Sequence, residues 1–267
     1  MLDLEMILQL ILLGGLVGVV SGLFGIGGGG IIVPSLTSIF LLQGIDEQNV
    51  VHFALGTSMA IIVITSLSSV LAQQKKKAII WNISKMMVPG IFVGTFLSTF
   101  IASLLNSVTL SIIFTSFMLY SSIKMFLNNE SDIKKKVFNK KIQFFAGSLI
   151  GGLSALVSIG GGILSVPYLL LQNIDIKKAI ATSSSLGLFI AISGTLGYIV
   201  NGWSYNSFDQ LLVGYVSLPA LLFVGITSYL TAPIGVKLLH RFDVSLMKRL
   251  FSLIPFLLSI RMIFELI

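Results

Sequence analysis

The chain has no cysteine, which excludes disulfides, thiolate metal sites and thiol redox chemistry. Charge is nearly as scarce. Only 10% of the 267 residues are Asp, Glu, Lys or Arg, against about 25% in an ordinary soluble domain, too few to wet the surface of a fold this long. The ten Asp and Glu residues, at 3, 5, 46, 47, 130, 132, 175, 209, 243 and 265, fall in loops or near the ends of apolar segments. An evident carboxylate proton relay or cation cage inside a membrane is thereby excluded. His52 and His240 lie far apart and near segment ends, which disfavours a metal pair. No Walker A, G-x-S-x-G or H-E-x-x-H pattern occurs, so neither an enzyme nor a cofactor is expected, and ATP would need a separate subunit.

What is present is apolar. Hydrophobic residues make up 55% of the chain and the mean hydropathy is +1.01, so runs of about 20 apolar residues recur, each able to cross a bilayer core of roughly 30 Å. Ten segments can be drawn, at 4–24, 31–42, 50–72, 85–105, 108–127, 142–157, 163–171, 179–200, 210–235 and 245–266. Segments 31–42 and 163–171 reach only ~18 Å and ~14 Å at ~1.5 Å per residue. Each follows a glycine cluster, the mark of a broken helix. Met1–Phe24 carries Asp3 and Glu5 where a signal peptide has basic residues, and reads as a retained membrane segment.

The two halves repeat. Ser21-Gly-Leu-Phe-Gly-Ile-Gly-Gly-Gly-Gly-Ile-Ile-Val-Pro34 lies over Ser154-Ala-Leu-Val-Ser-Ile-Gly-Gly-Gly-Ile-Leu-Ser-Val-Pro167 without a gap, and Ala54–Ser58 answers Ala179–Ser183. The division is a first membrane repeat at 1–127, a polar cytoplasmic linker at 128–141 and a second membrane repeat at 142–267. If each broken helix returns to its starting side, sixteen of the seventeen Lys and Arg residues fall on one face, Arg261 alone opposite. The positive-inside rule then puts both termini outside and inverts the second half relative to the first. The net charge of +7 is this loop charge, and nucleic-acid binding is not expected. The fold class expected is all-α, a polytopic membrane protein of two inverted repeats, each broken at a glycine-rich motif. That plan places a substrate at the midplane between the halves.

The glycine runs carry the chemistry. Non-helical backbone at membrane depth must line a polar cavity or be buried in protein. A half-helix starting there offers free N–H groups and about half a positive charge, which suits an anion. Pro34 and Pro167 fit the first turn of those helices. The candidate site is Gly25, Gly27, Gly28 and Gly29 with Ser158, Gly160, Gly161 and Gly162. Thr57, Ser58, Thr182 and Ser183 would add hydroxyl donors, and Ser21 and Ser154 are weaker candidates of the same kind. The blander alternatives are that the glycines serve close helix packing and that the hydroxyls bond back to their own helices. Gly25, Gly27 and Gly30 also fit a dinucleotide fingerprint, but a membrane helix precedes them and the second repeat breaks the pattern.

These motifs resemble the sulfite exporter TauE/SafE family of permeases over nearly the whole chain. The resemblance implies a secondary transporter of sulfur-containing or organic anions, such as sulfite or sulfonates, in a bacterial-type plasma membrane. It also implies a substrate path formed by the motifs at 25–29 and 158–162 and the pairs 57–58 and 182–183. Ser158 departs from the first half, which has Gly25. The reading is an exporter, with import of the same anions or a passive anion channel as alternatives. Its expected partners are the small anion, the lipid bilayer, protons as candidate coupling ions and, for a homodimer, a second copy of the chain.

Overall fold

In the computed structural model, residues 4–127, 139–206 and 211–241 are described, together with Leu257 and Ile260. Nine α-helices occupy them: α1 Leu4–Phe24, α2 Gly29–Leu42, α3 Val50–Lys75, α4 Trp81–Leu104, α5 Ser107–Leu127, α6 Lys140–Leu156, α7 Gly162–Leu170, α8 Ile176–Asn201 and α9 Leu218–Arg241. Five of these, α1, α3, α4, α8 and α9, are long and apolar enough to cross a membrane. The chain is a multi-pass all-α membrane protein. With 14 and 9 residues, α2 and α7 reach about 21 Å and about 14 Å, the two short helices expected after the glycine clusters.

One boundary differs from expectation. The apolar segment drawn from 210 is not helical at its start: Leu212–Val213 (β1) pairs antiparallel with Val216–Ser217 (β2). Gly214 turns the hairpin at φ +57, and its N–H donates to Asn206 Oδ1 at 2.6 Å. Apart from Leu257 and Ile260, segment 245–266 lies outside the described residues, as does most of the linker. Asn139 caps α6 by accepting from the Ile142 N–H at 2.9 Å, so Lys140 and Lys141 already lie in its first turn.

Apolar side chains cover the outside as well as the core, as a lipid solvent allows. Leu4, Leu8, Leu12 and Leu16 form an exposed row along α1, and Leu222, Ile226, Leu230 and Ile234 one along α9. Hydroxyls turn inward: Thr57, Ser58, Thr65, Ser69, Thr182 and Ser183 are all fully buried. Small residues let the helices close up. On α1, Gly14, Gly18 and Gly22 meet the α9 backbone at Val224, Ser228 and Ala232; on α6, Gly147 and Gly151 meet α4 at Met87 and Ile91.

The packing pairs elements across the chain. With the chain divided at 128–138, the first helix of each part lies along the fourth of the other, α1 on α9 and α6 on α4, while α3 packs against α8. Residue numbers rise together along α1 and α9 and along α4 and α6, so both pairs are parallel. Along α3 and α8 they run in opposite directions, Gly56 meeting Tyr198 and Gly194 meeting Met59. That pair is antiparallel.

Candidate functional site

After Phe24 the chain leaves the helix through left-handed backbone at Gly25 and Gly27, φ +67 and +76. Gly28, at φ 84, caps α2. The second break mirrors this with Ser158 at φ 44 and Gly161, at φ 77, capping α7. At both caps an L side chain would be strained. The Gly28 carbonyl accepts from the Ile31 and Ile32 N–H groups at 3.0 and 3.1 Å, and the Gly161 carbonyl from Leu164 and Ser165 at 3.0 and 2.7 Å. The N–H groups ahead of these bonds, at Gly29, Gly30, Gly162 and Ile163, belong to the first helical turn and have no intrahelical acceptor. Pro34 and Pro167 are not in that first turn. The helices begin earlier, at Gly29 and Gly162, so each proline lies more than a turn inside.

The breaks cross backbone to backbone. The Gly160 N–H donates to the Ile26 carbonyl at 2.9 Å. A Cβ on Gly27 would come within 2.9 Å of Gly160 Cα, and one on Gly160 within 2.9 Å of Gly27 Cα. A Cβ on Gly29 would collide with the Ser158 carbonyl oxygen, and one on Gly162 would lie 2.6 Å from the Gly25 carbonyl oxygen. Two uses of glycine are therefore divided among residues. Gly27, Gly29, Gly160 and Gly162 permit the crossing; Gly28 and Gly161 start the half-helices.

Beside the crossing is a cavity of about 20 Å³, room for roughly one water molecule. Gly28, Gly30 and Ile31 line it from the start of α2, Ile159 and Ile163 from the second break, and Ser121 from α5. First-turn residues of both half-helices, Gly30 and Ile31 in α2 and Ile163 in α7, border the same small space.

The hydroxyls sort into held and unheld. Thr57 Oγ1 accepts from the Ser217 N–H at 2.9 Å, and Thr182 Oγ1 from the Ile80 N–H at 3.0 Å. Each therefore fastens the segment just ahead of a long helix, α9 and α4 respectively. Ser183 Oγ donates to the Gly25 carbonyl at 3.2 Å and accepts from Ser165 Oγ at 2.7 Å. Ser158 Oγ donates to the Leu55 carbonyl at 3.0 Å. So α8 holds the first break and α3 the second. Ser58 and Ser154 are 0% and 1% exposed and their hydroxyls have no hydrogen-bond partner. The repeat explains Ser58: where α7 offers Ser165 to Ser183, α2 has Ile32. Ser21 is also buried.

The sequence model of the family described as sulfite exporter TauE/SafE matches residues 10–262, spanning both breaks. The chain belongs to this family. A "Probable membrane transporter protein" of Haemophilus influenzae is 34% identical over 257 residues, covering 96% of this chain and 97% of that protein. One of the same description from Methanocaldococcus jannaschii is 31% identical over 234 residues, 86% of this chain and 85% of its own. A third, from Bacillus subtilis, is 29% identical over 219 residues, 73% and 80% respectively. No solved structure matches.

In this TauE/SafE chain the motif glycines, Ser158 and Ser183 meet at the crossing, whereas Thr57 and Thr182 hold the segments ahead of α9 and α4. Motif reasoning did not single out Ser165, which donates to Ser183, or Ser121, which belongs to the cavity lining. The first was visible as a hydroxyl breaking the repeat at Ile32, the second as a polar interruption of an apolar run. The held threonines carry a stability prediction. Thr57→Val leaves the buried Ser217 N–H unpaired, at about 1 to 3 kcal/mol, and Thr182→Val the part-buried Ile80 N–H, toward the lower end of that range. Thermal unfolding of purified protein should show both less stable than wild type. Ser184→Ala, which removes only a bond to the carbonyl of Ile180 on its own helix, should melt close to wild type.

Proposed function

We propose that this TauE/SafE protein is a secondary transporter exporting small sulfur-containing or organic anions, such as sulfite or sulfonates, across the plasma membrane. The observation that carries the proposal is the pair of half-helices, capped by Gly28 and Gly161, whose first turns border one small cavity through Gly30, Ile31 and Ile163. Together they supply about one elementary positive charge with no Lys or Arg to hold the anion fast. Ser58 and Ser154 bring hydroxyl donors free of other partners. Dipoles and hydroxyls bind modestly, which suits a carrier that must let go. Nothing in this chemistry calls for catalysis, and the protein is read as a transporter and not an enzyme.

The inverted arrangement of the halves supports alternating access. If α3 and α8 are equivalent elements, their antiparallel packing fits a two-fold axis in the membrane plane; an axis along the membrane normal would leave them parallel. The one-sided lysines support a reading with both termini outside and the linker in the cytoplasm. Protons are the proposed coupling ion, carried on the anion itself in the absence of a carboxylate relay. The exposed apolar rows face lipid, and a second copy would have to dock on them. A passive anion channel lined by the same half-helices is the rival reading, and saturable counterflow separates the two. Import of the same anions uses the same site under an opposite gradient.

Two measurements test the proposal. Cysteines introduced singly at Asn106 and Asn201 should label from outside, and those at Lys76 and Asn139 should not; labelling of Asn106 and Asn201 from opposite faces overturns the inverted arrangement. In a thermal-shift screen of purified protein, sulfite, sulfonates or short carboxylates should stabilise it and alkali cations should not. Stabilisation by cations alone overturns the anion site.

A further inference from the structure

Ser121 lies on α5, outside both glycine motifs and both Thr-Ser pairs. It is 2% exposed, and its hydroxyl has no hydrogen-bond partner. Serines within helices commonly bond back to a carbonyl one turn earlier. Ser111 on the same helix does so, donating to the Ser107 carbonyl at 2.7 Å. Ser121 does not, although an unpaired hydroxyl at this depth is unfavourable. Ser121 is instead among the residues lining the cavity that Gly28 and Gly30 border at the start of α2. A helix N-terminus and a buried donor without an acceptor thus face the same small space.

The lining defines what would fill it. The backbone of the first turn of α2 supplies N–H donors, and Ser121 supplies an O–H. The lining includes no Lys, Arg, His, Asp or Glu among the described residues. The other walls are mostly apolar, with Val20, Ile26, Ile31, Met118, Ile159 and Ile163, and Ser122 adds a second hydroxyl that has an interaction of its own. Donors without a charged acceptor suit an oxygen that only accepts, as in a sulfonate or sulfite. Apolar walls and about half a positive charge suit a monoanion, since desolvating a dianion costs far more. At about 20 Å³ the cavity takes one water-sized group. It admits a single oxyanion oxygen, not a whole ion.

We infer that Ser121 is a substrate-binding residue whose hydroxyl donates to one oxygen of a monoanionic oxyanion seated at the N-terminus of α2. The inference rests on the anion-site reading proposed above, but Ser121 is added by the cavity and not by the repeat. It also makes the first half-site chemically distinct, with a donor from α5 next to the free first-turn N–H groups.

The test is calorimetric titration of the full chain in detergent with methanesulfonate, a monoanion at every working pH. Ser121→Ala should weaken binding about 10-fold, the loss of one donor to a charged acceptor. Ser121→Thr, which keeps the hydroxyl, should bind within about 3-fold of wild type, and Ser111→Ala should be unchanged. Ser121→Ala should also melt no lower than wild type, because the hydroxyl it removes has no partner within the protein. Wild-type affinity in Ser121→Ala, with wild type itself binding, overturns the Ser121 assignment alone. Failure of wild type to bind methanesulfonate overturns the anion-site reading and the assignment with it.

Discussion

Replacing Gly160 by alanine should cost the protein about 3 kcal/mol or more. A Cβ there would lie 2.9 Å from Gly27 Cα, 3.0 Å from Gly27 N and 3.1 Å from the Ile26 carbonyl carbon. All three are backbone, so no rotamer change relieves the clash. On the opposite side Gly187 packs against the Gly160 carbonyl, which blocks retreat. Relief would require parting the two breaks and losing the bond from Gly160 N–H to Ile26. Gly15→Ala is the control: nothing lies within 4 Å of its added Cβ, and alanine is favoured over glycine in a helix by up to about 1 kcal/mol. Thermal unfolding in detergent should show a large drop for Gly160→Ala and none for Gly15→Ala. Equal melting of both would mean the breaks do not cross as closely as described.

Ser58→Asp should reduce anion transport at neutral pH by at least about 100-fold. Ser58 is fully buried, its hydroxyl is unpaired, and it lies one turn along α3 from Leu55, whose carbonyl holds Ser158 in the second break. A carboxylate there would oppose an incoming anion where the dielectric is low, so repulsion is weakly screened. Its own burial costs several kcal/mol, so the variant must be checked for folding by its elution from a sizing column. Ser58→Ala gives the milder arm. It deletes one donor, expected to slow transport by about 5- to 50-fold with stability unchanged, because no bond within the protein is lost. Ser183→Ala behaves differently: it breaks contacts to Ser165 and to the Gly25 carbonyl and should lower stability as well as flux.

Much of this fold was legible in the sequence because its signals are local. Apolar runs, a glycine cluster before each short helix and the repeated motif lead directly to α1 through α8. The hairpin before α9 was hidden because Leu211–Val213 and Tyr215–Val216 continue an apolar run, and only the turn at Gly214 interrupts it. The site was legible as a place but not in its parts. Thr57 finds its partner at Ser217 and Thr182 at Ile80, separations that no motif encodes. The division between packing glycines and capping glycines depends on which residue of one break lies over which residue of the other. That is a tertiary fact, and identical glycines in a run conceal it. Pro34 and Pro167 misled because proline is familiar at helix starts; the flexible glycines ahead of them are helical too.

Counterflow in liposomes tests the central claim most directly. Purified protein is reconstituted, loaded with unlabelled sulfite, and presented with trace labelled sulfite outside. A carrier with the site described predicts saturable uptake accelerated by the internal load, reduced about 5- to 50-fold in Ser58→Ala and abolished in Ser58→Asp. Uptake that rises linearly with concentration, ignores the internal load and persists in Ser58→Asp would contradict the account.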